Sequence, residues 1–282
     1  MRQRLVIGSV PYINGAPLTR WFETEAGQRV AEVRYAAPSV LARWLEAGAV
    51  DVALVSSVEL FRRPQAPWVP GLAIATRREV LSVRLFSKVP FDQIRTVALD
   101  ESSLTSSTLV RILLTRVYGA QPYYQHQPPD LKTMLQQADA ALLIGDAGMS
   151  ATGEGLFVLD LGEAWHQWTG LPFIWAVWLA NPDAPLPLLT DLMHTAFAWG
   201  EAHMELIIES EARRTGLPHA LCARYLREVM TYRIDESFLQ GLARFRQEWQ
   251  ALQTPPPQKG RGIEREGEGS GLFAAAEAEE HG

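Results

Sequence analysis

At 282 residues the chain is longer than one ordinary core and suits two lobes of the usual domain size. Its 47% hydrophobic and 21% charged residues argue against a disordered or fibrous chain, and a net charge of −6 without a dense Lys/Arg cluster argues against nucleic acid as a partner. No window approaches the ~18 apolar residues of a membrane helix, and the one cysteine, Cys222, leaves neither an internal disulfide nor a Cys/His metal cluster to be made.

Met1-Arg2-Gln3-Arg4 runs straight into Leu5-Val6-Ile7-Gly8 without a leader-like apolar stretch, so the expected location is the cytoplasm. Leu5 to Val10 reads as a buried strand, after which Asn14 is placed to cap a helix running to about Glu25 with Pro17 in its first turn. Arg29 to Tyr35 is a second strand. Pro38-Ser39 then opens a helix whose Val40, Leu41, Trp44 and Leu45 share a face before Gly48 stops it. Val50 to Val55 is a third strand, and it delivers Ser56-Ser57 at its C-terminal end, the side on which open α/β sheets bind ligands.

Leu72 to Thr76 and Leu81 to Phe86 read as further strands, and Val89-Pro90-Phe91-Asp92 as a break. The logic then repeats. Thr96 to Leu99 is a strand, Asp100 to Thr105 a polar turn, and Ser106 to Tyr118 a helix with Leu109, Ile112, Leu113 and Val117 on one face. Tyr123-Tyr124, a helix through Leu131 and Leu135, and the strand Ala140 to Ile144 complete a second lobe, and Phe173 to Ala180 returns the chain to the first. Three helices are expected near 186–212, 218–230 and 235–252, and the Pro-, Gly- and Glu-rich stretch 255–282 reads as a mobile tail. The expected division is therefore lobe 1 at 1–87 plus 178–254 and lobe 2 at 88–177.

In such a two-lobed α/β chain three polar strand ends face the cleft: Ser9 to Asn14, Ser56-Ser57, and the run from Asp100 through Ser102, Ser103, Thr105 and Ser106 to Ser107. Hydroxyls beside a helix N-terminus make a carboxylate site without arginine, because the first N–H groups are unpaired and carry partial positive charge. Plain N-capping explains one or two of those hydroxyls, but not five in six positions. At a fourth strand end, Gly145 allows close backbone approach to a ligand, and Asp146 is either an acid–base group or another cap. His126, His166 and His194 lie apart in sequence with no metal-ligand spacing. Trp165, Trp168, Trp175 and Trp178 either wall a pocket or pack a hinge.

The runs Gly8-Ser9-Val10-Pro11-Tyr12-Ile13-Asn14-Gly15-Ala16-Pro17-Leu18, Asp51-Val52-Ala53-Leu54-Val55-Ser56-Ser57, Ser102-Ser103-Leu104-Thr105-Ser106, Gly145-Asp146-Ala147, Asp160-Leu161-Gly162-Glu163-Ala164-Trp165 and Thr169-Gly170-Leu171-Pro172-Phe173 occur in this order along the chain. Together they resemble the chorismate dehydratases of the futalosine route to menaquinone. The resemblance implies a periplasmic-binding-protein type II fold, with two α/β lobes joined by two crossover strands. It also implies a cytosolic hydro-lyase without metal or organic cofactor that converts chorismate, a dicarboxylate, to 3-[(1-carboxyvinyl)oxy]benzoate.

On that basis the expected catalytic residues are Asn14 and Ser82, and the expected substrate contacts are Ser9, Tyr12, Ser56, Ser57, Ser102, Ser103, Thr105, Ser106, Gly145 and Asp146. The proton acceptor stays open between the substrate's own enolpyruvyl carboxylate and a side chain, Asp146 or Glu101. Two other functions remain to be weighed, the sister 1,4-dihydroxy-6-naphthoate synthase and a non-catalytic solute-binding protein for a small carboxylate.

Overall fold

The structure, a computed structural model, describes residues 4–253. Eleven strands lie among them: β1 (Leu5–Ser9), β2 (Ala31–Tyr35), β3 (Val52–Ser56), β4 (Trp68–Thr76), β5 (Arg84–Ser87), β6 (Thr96–Asp100), β7 (Tyr123–Gln127), β8 (Ala140–Leu143), β9 (Phe157–Asp160), β10 (Phe173–Ala180) and β11 (Met230–Arg233). They form a six-stranded sheet in the order β11-β4-β10-β3-β1-β2 and a five-stranded sheet in the order β7-β6-β8-β5-β9. The calls on 255–282 lie outside the described residues.

Each sheet begins from parallel pairs, β1 with β2 and β3 and β6 with β7 and β8, because a helix or helical turn follows each strand and carries the chain back. The apolar run of β10 is buried on both faces and sits antiparallel between β3 and β4, closing the first sheet after the chain has visited the second. The helices Leu186–Ala202 and Glu236–Gln253 pack on the first sheet, and the latter also meets the helix Thr105–Arg116 of the second lobe.

Several elements differ from expectation. β5, expected within lobe 1, pairs with β8 and β9 of the second sheet, while all of β10 lies in the first. The chain therefore crosses between lobes at 77–83 and again at 161–172. Leu81, expected in a strand, has φ +59, and Ser82 N–H donates back to the Val80 carbonyl at 2.6 Å, a tight three-residue turn. The expected helix at 186–212 breaks at His203 into Leu186–Ala202 and Met204–Thr215. The one near 218–230 is a helix at His219–Arg224, then a π-helical turn at Tyr225–Val229, then β11, which covers the free edge of β4. Period alone does not register a strand of four residues that follows a helix without a break.

Candidate active site

A cavity of about 60 Å³ lies where the lobes meet. The first lobe lines it with Tyr12, Asn14, Ser56 and Trp175 among others, the crossover with Val80 and Ser82, and the second lobe with Ser103, Leu104, Thr105, Ser106, Ile144 and Gly145. No Lys, Arg, His, Asp or Glu is among the lining residues. An anion held here is therefore held by neutral hydroxyls, amides and N–H groups. One water needs roughly 10–15 Å³, so the space suits a few waters.

Asn14 is not a helix cap. The helix Ala16–Thr19 begins from Gly15 with no side-chain cap, and Asn14 Nδ2 instead donates to the Tyr225 hydroxyl at 3.2 Å. The Tyr225 hydroxyl in turn donates to Ser82 Oγ at 2.7 Å. Tyr225 is fully buried, which pushes its phenol up from the ordinary value despite its bonds with Ser82 and Asn14. Asn14 Oδ1 is buried and has no hydrogen-bond partner among the described residues.

Ser82 is held from its backbone as well. Asp160 accepts from Val80 N–H at 3.0 and 3.1 Å and from Leu81 N–H at 2.7 Å, and the same carboxylate caps the helix Leu161–Thr169 through Gly162 and Glu163 N–H. These donors fix Leu81 in the left-handed region, a conformation that costs about 1–3 kcal/mol and persists only where its surroundings over-determine it. Burial raises the Asp160 pKa above its ordinary value, and the four N–H groups only partly offset that.

The serine-rich turn divides its labour. Ser102 hydroxyl donates to Asp100 Oδ1 at 2.6 Å and lies 3.4 Å from the Tyr12 hydroxyl of the other lobe. Ser103 Oγ, one position before the N-cap Leu104, accepts from Ser107 N–H at 3.1 Å and so pairs one of the first N–H groups of the helix Thr105–Arg116. Thr105 Oγ1 reaches across to Ser57 Oγ and Val58 N–H, both at 3.3 Å. Ser106 lines the cavity, and its hydroxyl makes no hydrogen bond among the described residues. Ser103 to Ser106 thus bring the start of a twelve-residue helix, with the N–H groups of Thr105 and Ser106, to the cavity wall.

Gly145 has φ +59, and a Cβ there would stand 2.7 Å from the Tyr12 ring, so only glycine lets Tyr12 pack against this strand end. Asp146 points away from the cavity: Oδ1 accepts from Ile13 N–H at 3.0 Å and Oδ2 from Arg214 at 2.7 Å. Arg214 also bonds Glu211, which is paired with Arg20. This chain of charges ties the second lobe to the first at the cleft rim. Ser9 is buried beneath the Asn14 turn, Ser57 is buried behind Thr105, and neither lines the cavity; Glu101 is exposed.

The model of a family described as menaquinone biosynthesis matches residues 5–251. The chain belongs to this family. A chorismate dehydratase of Thermus thermophilus is 32% identical over 85% of this chain and 93% of its own length, and one of Campylobacter jejuni is 26% identical over 61% of this chain and 66% of its own. Among solved structures, a protein of Archaeoglobus fulgidus superposes with a TM-score of 0.71 at 16% identity, covering 89% of this chain and 98% of that one. The periplasmic aliphatic sulphonate binding protein of Escherichia coli superposes at 0.58 and 17%, covering 96% and 99%. These likenesses assign the periplasmic-binding-protein fold.

In this family member, Tyr225 and Arg214 were invisible to a reading by strand ends, since both lie in C-terminal helical stretches far from any motif. The π-helical turn that aims Tyr225 inward has no sequence period of its own. Asp160 lies in the run Asp160-Leu161-Gly162-Glu163-Ala164-Trp165, yet its clamp on 80–81 depends on the crossover's path. Of the four tryptophans, Trp175 lines the cavity and donates to Thr76 Oγ1 at 3.1 Å, whereas Trp165 and Trp178 are core. Among the described residues no helix is long and apolar enough to cross a membrane.

Proposed function

We infer that the chain is a chorismate dehydratase, a hydro-lyase that removes the hydrogen on C3 and the hydroxyl on C4 of chorismate as water and leaves an aromatic ring. The observation that carries the assignment is a charge-free cleft between two lobes, walled by Asn14, Ser82 and the serine-rich helix start, in a chain 32% identical to a chorismate dehydratase over most of both lengths. We place the activity in the cytoplasm with the biosynthesis it serves. The likeness to the sulphonate-binding protein, at 17% identity, supports the fold and not transport.

In the proposed site the ring carboxylate lies on the N–H groups of Thr105 and Ser106 and the hydroxyls of this turn, with Ser56 on the opposing lip. C3–H is vinylogous to that carboxylate, so charge moves onto it as the proton leaves, and donors already aimed there lower the barrier. Such donors contribute about 2.7–4 kcal/mol each in a water-excluded site. Asn14 and Ser82 face the reacting carbons. Tyr12 and Gly145 line the cavity and pack against each other, and Ser9, Ser57, Ser102 and Asp146 act behind this layer, by packing or by joining the lobes. Asp146 is engaged by Ile13 and Arg214 and Glu101 is exposed, so the enolpyruvyl carboxylate of the substrate is the better-placed proton acceptor.

Incubating the purified chain with chorismate, without additive, and following mass and absorbance tests the assignment. The expected result is a product lighter by one water. Saturable binding with chorismate recovered intact would instead make this a solute-binding protein.

A further inference from the structure

Three polar groups meet at the cavity wall, and their hydrogen bonds have a direction. The Asn14 amide nitrogen can only donate, so the Tyr225 oxygen accepts from it at 3.2 Å and gives its single proton to Ser82 Oγ at 2.7 Å. Ser82 has then used an acceptor site and keeps its own proton for the cavity. Asn14 has committed its nitrogen to Tyr225 and presents Oδ1, which is buried and unpartnered among the described residues.

We propose that Tyr225 is a positioning residue that sets the hydrogen-bond polarity of the site, fixing Ser82 as a donor toward the substrate and Asn14 as an acceptor beside it. The inference rests on the dehydratase assignment and deepens it. An acceptor next to a donor suits a substrate whose hydroxyl lies beside an ether or carboxylate oxygen. Asn14 Oδ1 accepts a hydrogen bond from the C4 hydroxyl and orients it while Ser82 donates to the enol-ether side, and the proton taken from C3 by the enolpyruvyl carboxylate passes to the departing oxygen, so that water leaves. Without the Tyr225 proton, Ser82 is free to turn its hydrogen away and the Asn14 amide is free to flip. Tyr225 is fully buried, so loss of its hydroxyl leaves Ser82 and Asn14 without their partner on that side.

The test is a double-mutant cycle of Tyr225→Phe and Ser82→Ala, read as kcat and KM for chorismate, with thermal unfolding as the check on folding. Wild-type turnover is measured first, and its absence counts against the dehydratase assignment rather than against Tyr225. With wild-type turnover in hand, Tyr225→Phe is expected to lower kcat by about 100-fold, the effect of misplacing a reacting group by about 1 Å, with KM within about threefold. In the Ser82→Ala background the same substitution is expected to add little, since both act on one hydrogen bond.

A kcat near wild type in Tyr225→Phe, or full additivity of the two losses, would overturn the proposal. A measurement on the unaltered protein stands beside the cycle. Tyrosine labelled at the ring carbon bearing oxygen is expected to show residue 225 as neutral phenol up to about pH 10, where free tyrosine titrates. Ionisation of that residue below this range would also overturn it.

Discussion

Asp160→Asn asks how firmly the crossover is held. Four backbone N–H groups converge on the Asp160 carboxylate, those of Val80, Leu81, Gly162 and Glu163. An amide keeps one accepting oxygen and turns two N–H donors toward groups that also only donate, so at least one N–H loses its partner at a cost of roughly 1–3 kcal/mol. At roughly 2–4 °C per kcal/mol for a chain of this size, the melting temperature should fall by several degrees. Leu81 is then free to leave φ +59, Ser82 moves with it, and kcat should drop with stability.

The pH dependence has a definite sign. Burial holds the folded Asp160 pKa above its unfolded value, so the folded chain binds this proton more tightly. The stability this contributes is full below the ordinary value of about 3.9 and is lost as pH rises through the folded pKa. The gap in stability between wild type and Asp160→Asn should therefore be wider near pH 4 than near pH 7 by chemical denaturation. An unchanged melting temperature with wild-type turnover, or a gap that widens toward neutral pH, would refute this account of the crossover.

Gly145→Ala should abolish turnover and lower the melting temperature, because its Cβ would meet the Tyr12 ring at 2.7 Å on a left-handed backbone; wild-type kinetics in this variant would remove the Tyr12 contact from the account. Asp146→Asn and Arg214→Ala should each raise KM up to about fivefold with kcat nearly preserved, since the pair is partly exposed and worth at most about 1 kcal/mol. Loss of kcat in Asp146→Asn alone would reinstate Asp146 as the proton acceptor. Thr105→Val removes the bonds to Ser57 and Val58 and should raise KM while small-angle scattering shows a more open average shape; an unchanged profile and KM would show that these bonds do not hold the lobes.

Much of this fold is legible in the chain because its strands are short apolar runs ending in polar turns, as at Val52–Ser56 and Thr96–Asp100. The strand ends brought Asn14, Ser56 and the 103–106 turn to one cavity for the same reason: parallel strands put their C-terminal ends on one side. What stayed hidden was long-range. Ser82 is set by a carboxylate 78 residues later in the chain and a phenol 143 residues later, at Asp160 and Tyr225. Local patterns of Ser and Thr could not separate the Ser103 hydroxyl, which pairs a helical N–H group, from the lobe-joining one of Thr105, because both obey the same rule for helix starts.

A crystal structure of the chain with 3-[(1-carboxyvinyl)oxy]benzoate bound tests the central claim most directly. The ring carboxylate is expected on the N–H groups of Thr105 and Ser106, with Asn14 Oδ1 and Ser82 Oγ against the carbons that were C3 and C4. The compound lodged outside the cleft, or its ring carboxylate paired with an arginine, would contradict it.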